Sequence, residues 1–176
     1  ASSPNIVMSS TFAHDEPLGF SINSFEGESP FIYSRWSNPT TKQLEEKLSD
    51  LEEAEECLTF SSGMAATSAV FFSLLSSGDH LVISNVNYPG TAELVRDSLP
   101  RMGIEYTAVD TSDLKMVEQA MKKNTRLVWV ETPANPILRL TDIELVAEIA
   151  HSKGALLAVD STFATPIGTR PITKGA

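Results

Sequence analysis

The sequence predicts a globular α/β fold in which helices cover both faces of a largely parallel sheet. Short apolar runs at residues 57–60, 80–83, 104–109, 127–130 and 155–159 alternate with segments whose apolar residues recur at helical spacing. Such alternation is typical of the strand, helix, strand units that build a parallel sheet. The runs are almost continuously apolar, as expected of strands that are covered on both faces.

Two regions are predicted along the chain, an N-terminal arm at residues 1–38 and one domain at residues 39–176. The arm mixes Ser, Pro, Asn, Gly and aromatic residues without a period, which is typical of an extended segment that reaches a neighbour. The domain opens with a helix, because Pro39 suits a first turn and Thr40 with Gln43 resembles a capping box. The apolar stripe of this helix is Leu44, Leu48 and Leu51, and its acidic residues form a solvated face.

Charge and composition exclude several classes of function. The 176 residues carry a net charge of −10, and the basic residues are scattered singly, so nucleic acid is not an expected partner. No apolar run approaches the roughly 20 residues that span a bilayer, and the first residues lack a secretory signal pattern, so we expect a soluble, cytoplasmic protein without membrane partners. Cys57 is expected to be buried and inert, and no His or Cys spacing predicts a metal site.

Small, polar and aromatic residues follow the apolar runs, at the place where ligands of open α/β sheets bind. The segments after four of the runs are SSGM at 61–64, NYPG at 87–90, ETPANP at 131–136 and DST at 160–162. Parallel strands end at the same edge of their sheet, so we expect these segments to lie together.

The segment Ser62-Gly63-Met64 has two interpretations on its residues alone. At a strand-to-helix turn, free backbone N–H groups and the helix dipole favour a phosphate, and a glycine lets the backbone approach it closely. The same residues also suit an ordinary helix start. The chain has neither a GxGxxG nor a Walker motif, so a dinucleotide or a nucleoside triphosphate is poorly supported.

Tyr88 and Asp160 also keep two interpretations each. The Tyr88 ring could stack on a flat ligand ring or simply pack against the protein. Asp160 ends an apolar strand, where a buried, ionised carboxylate requires a partner. It could equally be a helix N-cap or the anchor of a loop.

Four strings, FIYSRWSNPT, FSSGMAAT, WVETPANP and AVDSTFATP, stand in an order and at separations that resemble the Cys/Met-metabolism (trans-sulfuration) family of pyridoxal-phosphate enzymes. The resemblance runs from about Asn5 to the end of the chain. It implies the three-layer α/β/α large domain of fold type I, preceded by an extended arm, with pyridoxal 5'-phosphate (PLP) as cofactor. It also implies γ-elimination or γ-replacement on sulfur amino acids or homoserine derivatives.

The resemblance implies roles for particular residues. Ser62, Gly63 and Met64 would hold the cofactor phosphate, and Tyr88 would stack on the pyridine ring and take part in proton transfer. Asp160 would pair with the pyridinium nitrogen, which keeps the ring able to accept electrons. The other cofactor contacts that it implies are Asn135, facing the ring hydroxyl with Glu131 close behind it, and Thr162.

Tyr33 and Arg35, on the arm, match residues that reach the phosphate of a neighbouring subunit, where a guanidinium makes a charge-assisted contact. The family thereby implies a homo-oligomer whose dimers share active sites, usually paired into a tetramer. The sequence has Tyr-Pro-Gly-Thr at 88–91 and Asp-Ser-Thr at 160–162, where the family usually has Tyr-Gly-Gly-Thr and Asp-Asn-Thr. Both departures keep the contacting residue, and we interpret them as subfamily variation.

The lysine that forms the Schiff base with the cofactor in such enzymes is expected beyond Ala176. Lys174 matches the stretch before it, and the other six lysines fall on predicted helices or helix ends. We therefore expect this chain to be part of a longer enzyme that acts on small-molecule amino acids. Two other interpretations stay open: a non-catalytic PLP-binding or assembly subunit of the same fold, and an α/β domain whose strings serve packing alone.

Overall fold

A computed structural model of the chain describes residues 4–15 and 31–176. The chain divides into two compact units, each described by itself below. Unit 1 is Ala1–Asp50 with Glu55–Thr59, and unit 2 is Leu51–Ala54 with Phe60–Ala176. The expected roles of residues 1–38 as an arm and of residues 39–176 as part of a larger domain stay predictions.

Helix α1 (Pro39–Glu52) begins after Asn38 and confirms the predicted helix, but not its predicted cap. The Asn38 side-chain oxygen accepts a hydrogen bond from the Thr40 amide at 2.8 Å, so Asn38 caps the helix. The Thr40 hydroxyl accepts instead from the Val7 amide at 2.8 Å. The predicted capping box of Thr40 and Gln43 is therefore wrong, because Asn38, two positions before Thr40, already provides the cap.

Apolar residues near the start of the chain are more exposed than the sequence predicts. Two of the three leucines in the stripe of α1 are exposed. The apolar run at 57–60 forms no strand, so that prediction is wrong, and its Leu58 is 73% exposed. The Thr59 amide and hydroxyl donate to the Glu45 carboxylate at 3.0 and 3.1 Å. The Thr59 amide is therefore bonded to a helix side chain and not to a neighbouring strand. Cys57 in the same run is half-buried, not buried as predicted.

Unit 2 contains a parallel sheet of four strands in the order β2-β1-β3-β4. The strands are β1 (His80–Ser84), β2 (Glu105–Val109), β3 (Thr125–Glu131) and β4 (Leu156–Asp160). They confirm the four predicted runs at 80–83, 104–109, 127–130 and 155–159. The register pairs Ser84 with Val109 and Glu131 with Asp160, so the carboxyl ends of neighbouring strands lie side by side.

Helices of unit 2 precede, connect and follow these strands, and none in the described residues is long and apolar enough to cross a membrane. They are α2 (Gly63–Leu74), α3 (Pro89–Glu93), α4 (Leu114–Ala120), α5 (Ile143–Ser152) and α6 (Thr165–Gly168). The chain after α3 continues as a π-helical turn, Leu94–Ser98, and a 3-10 turn, Leu99–Met102, and a second 3-10 turn is Pro171–Lys174. Asp113 and Asp142 cap α4 and α5, since each carboxylate accepts an amide of the first turn.

Two apolar clusters cover the two faces of the sheet. Successive strand residues point to opposite faces, so Val82 belongs to one cluster and Leu81 to the other. The first cluster packs the sheet against α4 and α5, and the second packs it against α2 and the turns after α3. In the second, the rings of Phe71 and Trp129 meet edge to face with centroids 4.9 Å apart. The sheet therefore has helices on both faces, as the three-layer prediction requires.

Candidate active site

A cavity of about 340 Å³ lies where the strands of unit 2 end, and we call it the strand-end cavity. Its lining residues are Ser62, Gly63, Met64, Thr67, Tyr88, Thr91, Glu131, Pro133, Asn135, Asp160, Thr162 and Phe163. Every residue of unit 2 that the sequence singled out as a site residue is among them. Glu131 was expected close behind Asn135, and it also lines the cavity. The other four lining residues were not predicted, because nothing in their local sequence marks them as facing a ligand: Thr67, Thr91, Pro133 and Phe163.

One wall of the cavity is the N-terminus of α2. The Ser62 hydroxyl caps this helix by accepting a hydrogen bond from the Ala65 amide at 3.1 Å. The amides of Gly63 and Met64 have no acceptor among the described residues, and both residues line the cavity. The two interpretations of this segment are thus compatible, since the serine side chain starts the helix while two N–H groups are left for an anion.

Gly63 is not required by the fold of the ligand-free chain. A Cβ built on it meets no atom within 4 Å, and its backbone is not in the left-handed region that favours glycine. A side chain there would project into open space beside the cavity. Packing therefore does not require a glycine at this position, and the space beside Gly63 lies at the wall of the cavity.

Tyr88 lies on a second wall and is 51% exposed, so its ring is not a core residue. Its amide donates a hydrogen bond to Glu131 Oε2 at 2.5 Å. A Cβ added to Gly90 would lie 2.9 Å from both the Tyr88 ring and the Met64 sulfur. Gly90 therefore allows the tyrosine ring and the methionine side chain to lie close together beside the cavity.

The loop after β3 provides a third wall, which carries Asn135. The Asn135 amide donates to Glu131 Oε1 at 3.0 Å. Farther along this loop, the Arg139 guanidinium bonds Asn85 Oδ1 at 2.9 Å and Asp110 Oδ2 at 3.0 Å. A hydrogen bond from Ser112, together with the nearby Arg139 charge, lowers the pKa of Asp110. The loop is thus held to the ends of β1 and β2, which fixes the asparagine at the sheet edge.

Asp160 ends β4 and lines the cavity as a half-buried carboxylate, not at the fully buried position that its apolar strand suggested. Its Oδ1 accepts from the Thr162 amide at 3.1 Å and from the Thr162 hydroxyl at 2.5 Å. Its Oδ2 has no partner among the described residues. The residue is therefore a loop anchor through one oxygen, and its other oxygen is left for a ligand.

Tyr33 and Arg35 belong to unit 1, where the structure brings them together. The Arg35 guanidinium carbon lies 5.2 Å from the centroid of the Tyr33 ring, and its Nη2 donates to the tyrosine hydroxyl at 3.0 Å. Tyr33 also makes an edge-to-face contact with Trp36, with centroids 6.5 Å apart. The residues that line the strand-end cavity all belong to unit 2.

The described part of the chain places no lysine at the cavity and contains no cluster of metal ligands. All seven lysines lie there, and none of them lines the strand-end cavity. Lys174 forms an ion pair with Glu144 at 2.8 Å, and this contact, with the carboxylate charge, raises the lysine pKa. Within residues 4–15 and 31–176, no group of three His, Cys, Asp or Glu side chains could hold a metal ion.

The lining residues fit the chemistry of PLP, which carries a phosphate, a flat aromatic ring and a ring nitrogen that can be protonated. The unpaired amides of Gly63 and Met64 suit the phosphate, and the exposed ring of Tyr88 suits an aromatic partner. The free oxygen of Asp160 suits a protonated nitrogen. These groups belong to three separate loops that meet only in the folded chain.

The comparisons with known proteins agree on one family. A family model described as "Cys/Met metabolism PLP-dependent enzyme" matches residues 1–176. The L-methionine gamma-lyase of Fusobacterium nucleatum subsp. nucleatum is 44% identical over 171 residues, which are 97% of this chain and 43% of the relative. The cystathionine beta-lyase MetC of Staphylococcus haemolyticus is 41% identical over 176 residues, which are 100% of this chain and 43% of the relative.

The fold has the same relatives. The crystal structure of metB from Corynebacterium glutamicum superposes with a TM-score of 0.87 and 44% identity, over 96% of this chain and 42% of that one. The chain therefore spans less than half the length of each of these relatives. With a family model that matches throughout and relatives above 40% identity, the chain belongs to the family of Cys/Met metabolism PLP-dependent enzymes.

Proposed function

We propose that the protein containing this chain catalyses PLP-dependent γ-elimination or γ-replacement on sulfur amino acids or homoserine derivatives, in the cytoplasm. The observation that carries the proposal is the strand-end cavity, where two unpaired amides, an exposed tyrosine and a free carboxylate oxygen meet. Membership of a PLP-dependent family supports the choice of cofactor. The relatives' names support chemistry at a carbon–sulfur bond.

Each wall of the cavity is proposed to bind a different part of the cofactor. Gly63 and Met64 hold the cofactor phosphate through their amides, with the Ser62 hydroxyl beside them. Asn135 faces the ring hydroxyl. Asp160 bonds the ring nitrogen through its free oxygen, and an opposite charge in a half-buried site raises the pKa of that nitrogen. Thr162 holds the aspartate in place through its amide and hydroxyl.

Proton transfer is proposed for Tyr88, which would be the catalytic residue of this chain. When bound, PLP supplies a ring that stabilises negative charge developing on the α carbon of an amino acid. Loss of a γ substituent additionally needs a group that gives it a proton. The Tyr88 phenol is exposed at the cavity, and Glu131 holds its backbone, so it can reach a substrate there.

The products distinguish the reactions in this family. The methionine γ-lyase and the cystathionine β-lyase are 44% and 41% identical to this chain, so identity alone does not separate γ from β chemistry. The whole protein should be incubated with PLP and with methionine, cystathionine, or an acyl-homoserine plus a thiol. We expect a four-carbon 2-oxo acid or a γ-substituted product. A three-carbon 2-oxo acid alone would contradict γ chemistry, and bound PLP without any product would favour the non-catalytic interpretation.

We further propose that two subunits share each active site, with Tyr33 and Arg35 of one acting at the cavity of the other. Arg35 is a cation in a unit separate from the cavity, and its guanidinium suits a phosphate. An Arg35→Ala subunit and an Asp160→Asn subunit should each lose most of their activity alone, and their mixture should be more active than either. If the mixture is no more active than the two variants although mixed oligomers form, sharing is excluded.

A further inference from the structure

Glu131, the last residue of β3, is a buried carboxylate that the roles above leave without a function. Glu131 is 5% exposed, and none of the ion pairs among the described residues includes its carboxylate. Burial of a carboxylate without a cation costs free energy, so its oxygens require other hydrogen-bond donors.

Both oxygens of Glu131 bind backbone amides that belong to different walls of the strand-end cavity. Oε2 accepts from the Tyr88 amide at 2.5 Å, and Oε1 accepts from the Asn135 amide at 3.0 Å. Tyr88 follows β1 and Asn135 follows β3, so one side chain joins the loops after two neighbouring strands, which the contact of Arg139 with Asn85 also joins. Glu131 therefore links the backbones of Tyr88 and Asn135 directly.

The chemistry of the contact requires glutamate at position 131. Both partners are N–H donors, so both side-chain atoms must be acceptors. A glutamine would offer one oxygen and turn an NH2 donor toward the second amide. An aspartate is shorter by one carbon–carbon bond, about 1.5 Å, so its oxygens could not reach both amides at their present distances.

The Tyr88 ring lies beside Gly90 and Met64. Its Cε1 would lie 2.9 Å from a Cβ on Gly90, as would the sulfur of Met64, so ring and sulfur both sit against the glycine. Movement of the Tyr88 backbone would move the ring relative to Met64, which also lines the cavity. The hydrogen bond to Glu131 thus holds the backbone from which the ring projects.

We propose that Glu131 is a positioning residue, whose carboxylate fixes the Tyr88 ring and the Asn135 side chain at one separation suited to the cofactor. This inference rests on the proposed function, since it requires PLP in the strand-end cavity. Glu131 does not contact PLP itself but holds the two loops that do, so its contribution is measured as the affinity of the protein for PLP.

The experiment measures PLP affinity and the unfolding temperature of the ligand-free whole protein for Glu131→Gln and Glu131→Asp. The matched control is Thr111→Val. It removes a buried hydroxyl contact with Thr141 at 2.8 Å, at the same edge of the sheet, and neither threonine lines the cavity. We expect the glutamine variant to bind PLP about 10- to 100-fold more weakly, since a hydrogen bond to a charged group is lost. The control should lose stability and keep its PLP affinity.

A double-mutant cycle with Asn135→Ala separates positioning from a general loss of stability. If Glu131 acts through Asn135, the alanine should weaken PLP binding less in the Glu131→Gln protein than in wild type. Additive effects, or an unchanged PLP affinity in Glu131→Gln, would overturn the inference while leaving the proposed function intact. If Glu131→Gln does not fold, PLP affinity is measured for Glu131→Asp. An unchanged affinity in that variant also overturns the inference. A wild-type protein that does not bind PLP would overturn both.

Discussion

Asp160→Asn separates two roles that the structure gives to one carboxylate. Oδ1 accepts from the amide and the hydroxyl of Thr162, while Oδ2 is without a partner among the described residues. Asparagine keeps a carbonyl oxygen for the loop and replaces the other oxygen by an NH2 group. The shape of the loop should therefore survive, and the negative charge should be lost.

The expected effect on turnover follows from the lost charge. A charge-assisted contact between Asp160 and a protonated ring nitrogen is worth about 2–4 kcal/mol in the transition state, which corresponds to about 30- to 1000-fold in kcat. The assay measures kcat of the whole enzyme at saturating PLP, together with the PLP bound per subunit. Bound PLP should change less than turnover, because the amides of α2 still hold the phosphate.

Thr162→Val is the matched variant for Asp160. It removes the hydroxyl contact and keeps both the charge and the amide contact, so we expect a smaller loss of turnover than in Asp160→Asn. The reasoning is refuted if Asp160→Asn keeps kcat within about threefold of wild type while Thr162→Val loses more. Asp160 would then be a loop anchor alone.

Two further variants test other parts of the molecule. Gly90→Ala should weaken PLP binding, because the alanine Cβ would lie 2.9 Å from the Tyr88 ring and from the Met64 sulfur. Titration of PLP measures the affinity. An affinity equal to that of wild type would show that the two side chains move aside without affecting the cofactor site. His80 is fully buried between two threonine hydroxyls, and burial, with the nearby Lys122 charge, lowers its pKa below the ordinary 6.5. The unfolded chain then binds more protons below about pH 6.5, so the free energy of unfolding should fall as the pH falls, and more steeply in wild type than in His80→Gln. Equal slopes in urea denaturation would contradict this.

The strands and the site could be predicted from the sequence for a common reason. A strand of a parallel sheet is buried on both faces, so its residues form a short apolar run that is visible in the sequence. Parallel strands also end at one edge, so the residues after the runs were expected together. Tyr88, Asn135 and Asp160 are distant in sequence, and the cavity nevertheless contains all three.

Contacts between distant segments were not predictable from local pattern. The apolar run at 57–60 has the composition of a strand, but Thr59 binds Glu45 and forms no strand pair. The bridge from Glu131 to Tyr88 spans 43 positions, and no local signal identifies a carboxylate as the partner of a remote amide. The role of a side chain that holds two loops becomes visible only when both loops are in place.

Titration of PLP into Gly63 variants of the protein tests the cofactor cavity most directly. A Cβ at Gly63 meets no atom within 4 Å, and alanine is a better helix former than glycine, so the ligand-free Gly63→Ala protein should unfold at the same or a higher temperature. If PLP occupies this cavity, its affinity should fall in the order wild type, Gly63→Ala, Gly63→Val, with about tenfold or more lost at valine. Equal PLP affinity in all three folded proteins would contradict a cofactor site at the N-terminus of α2.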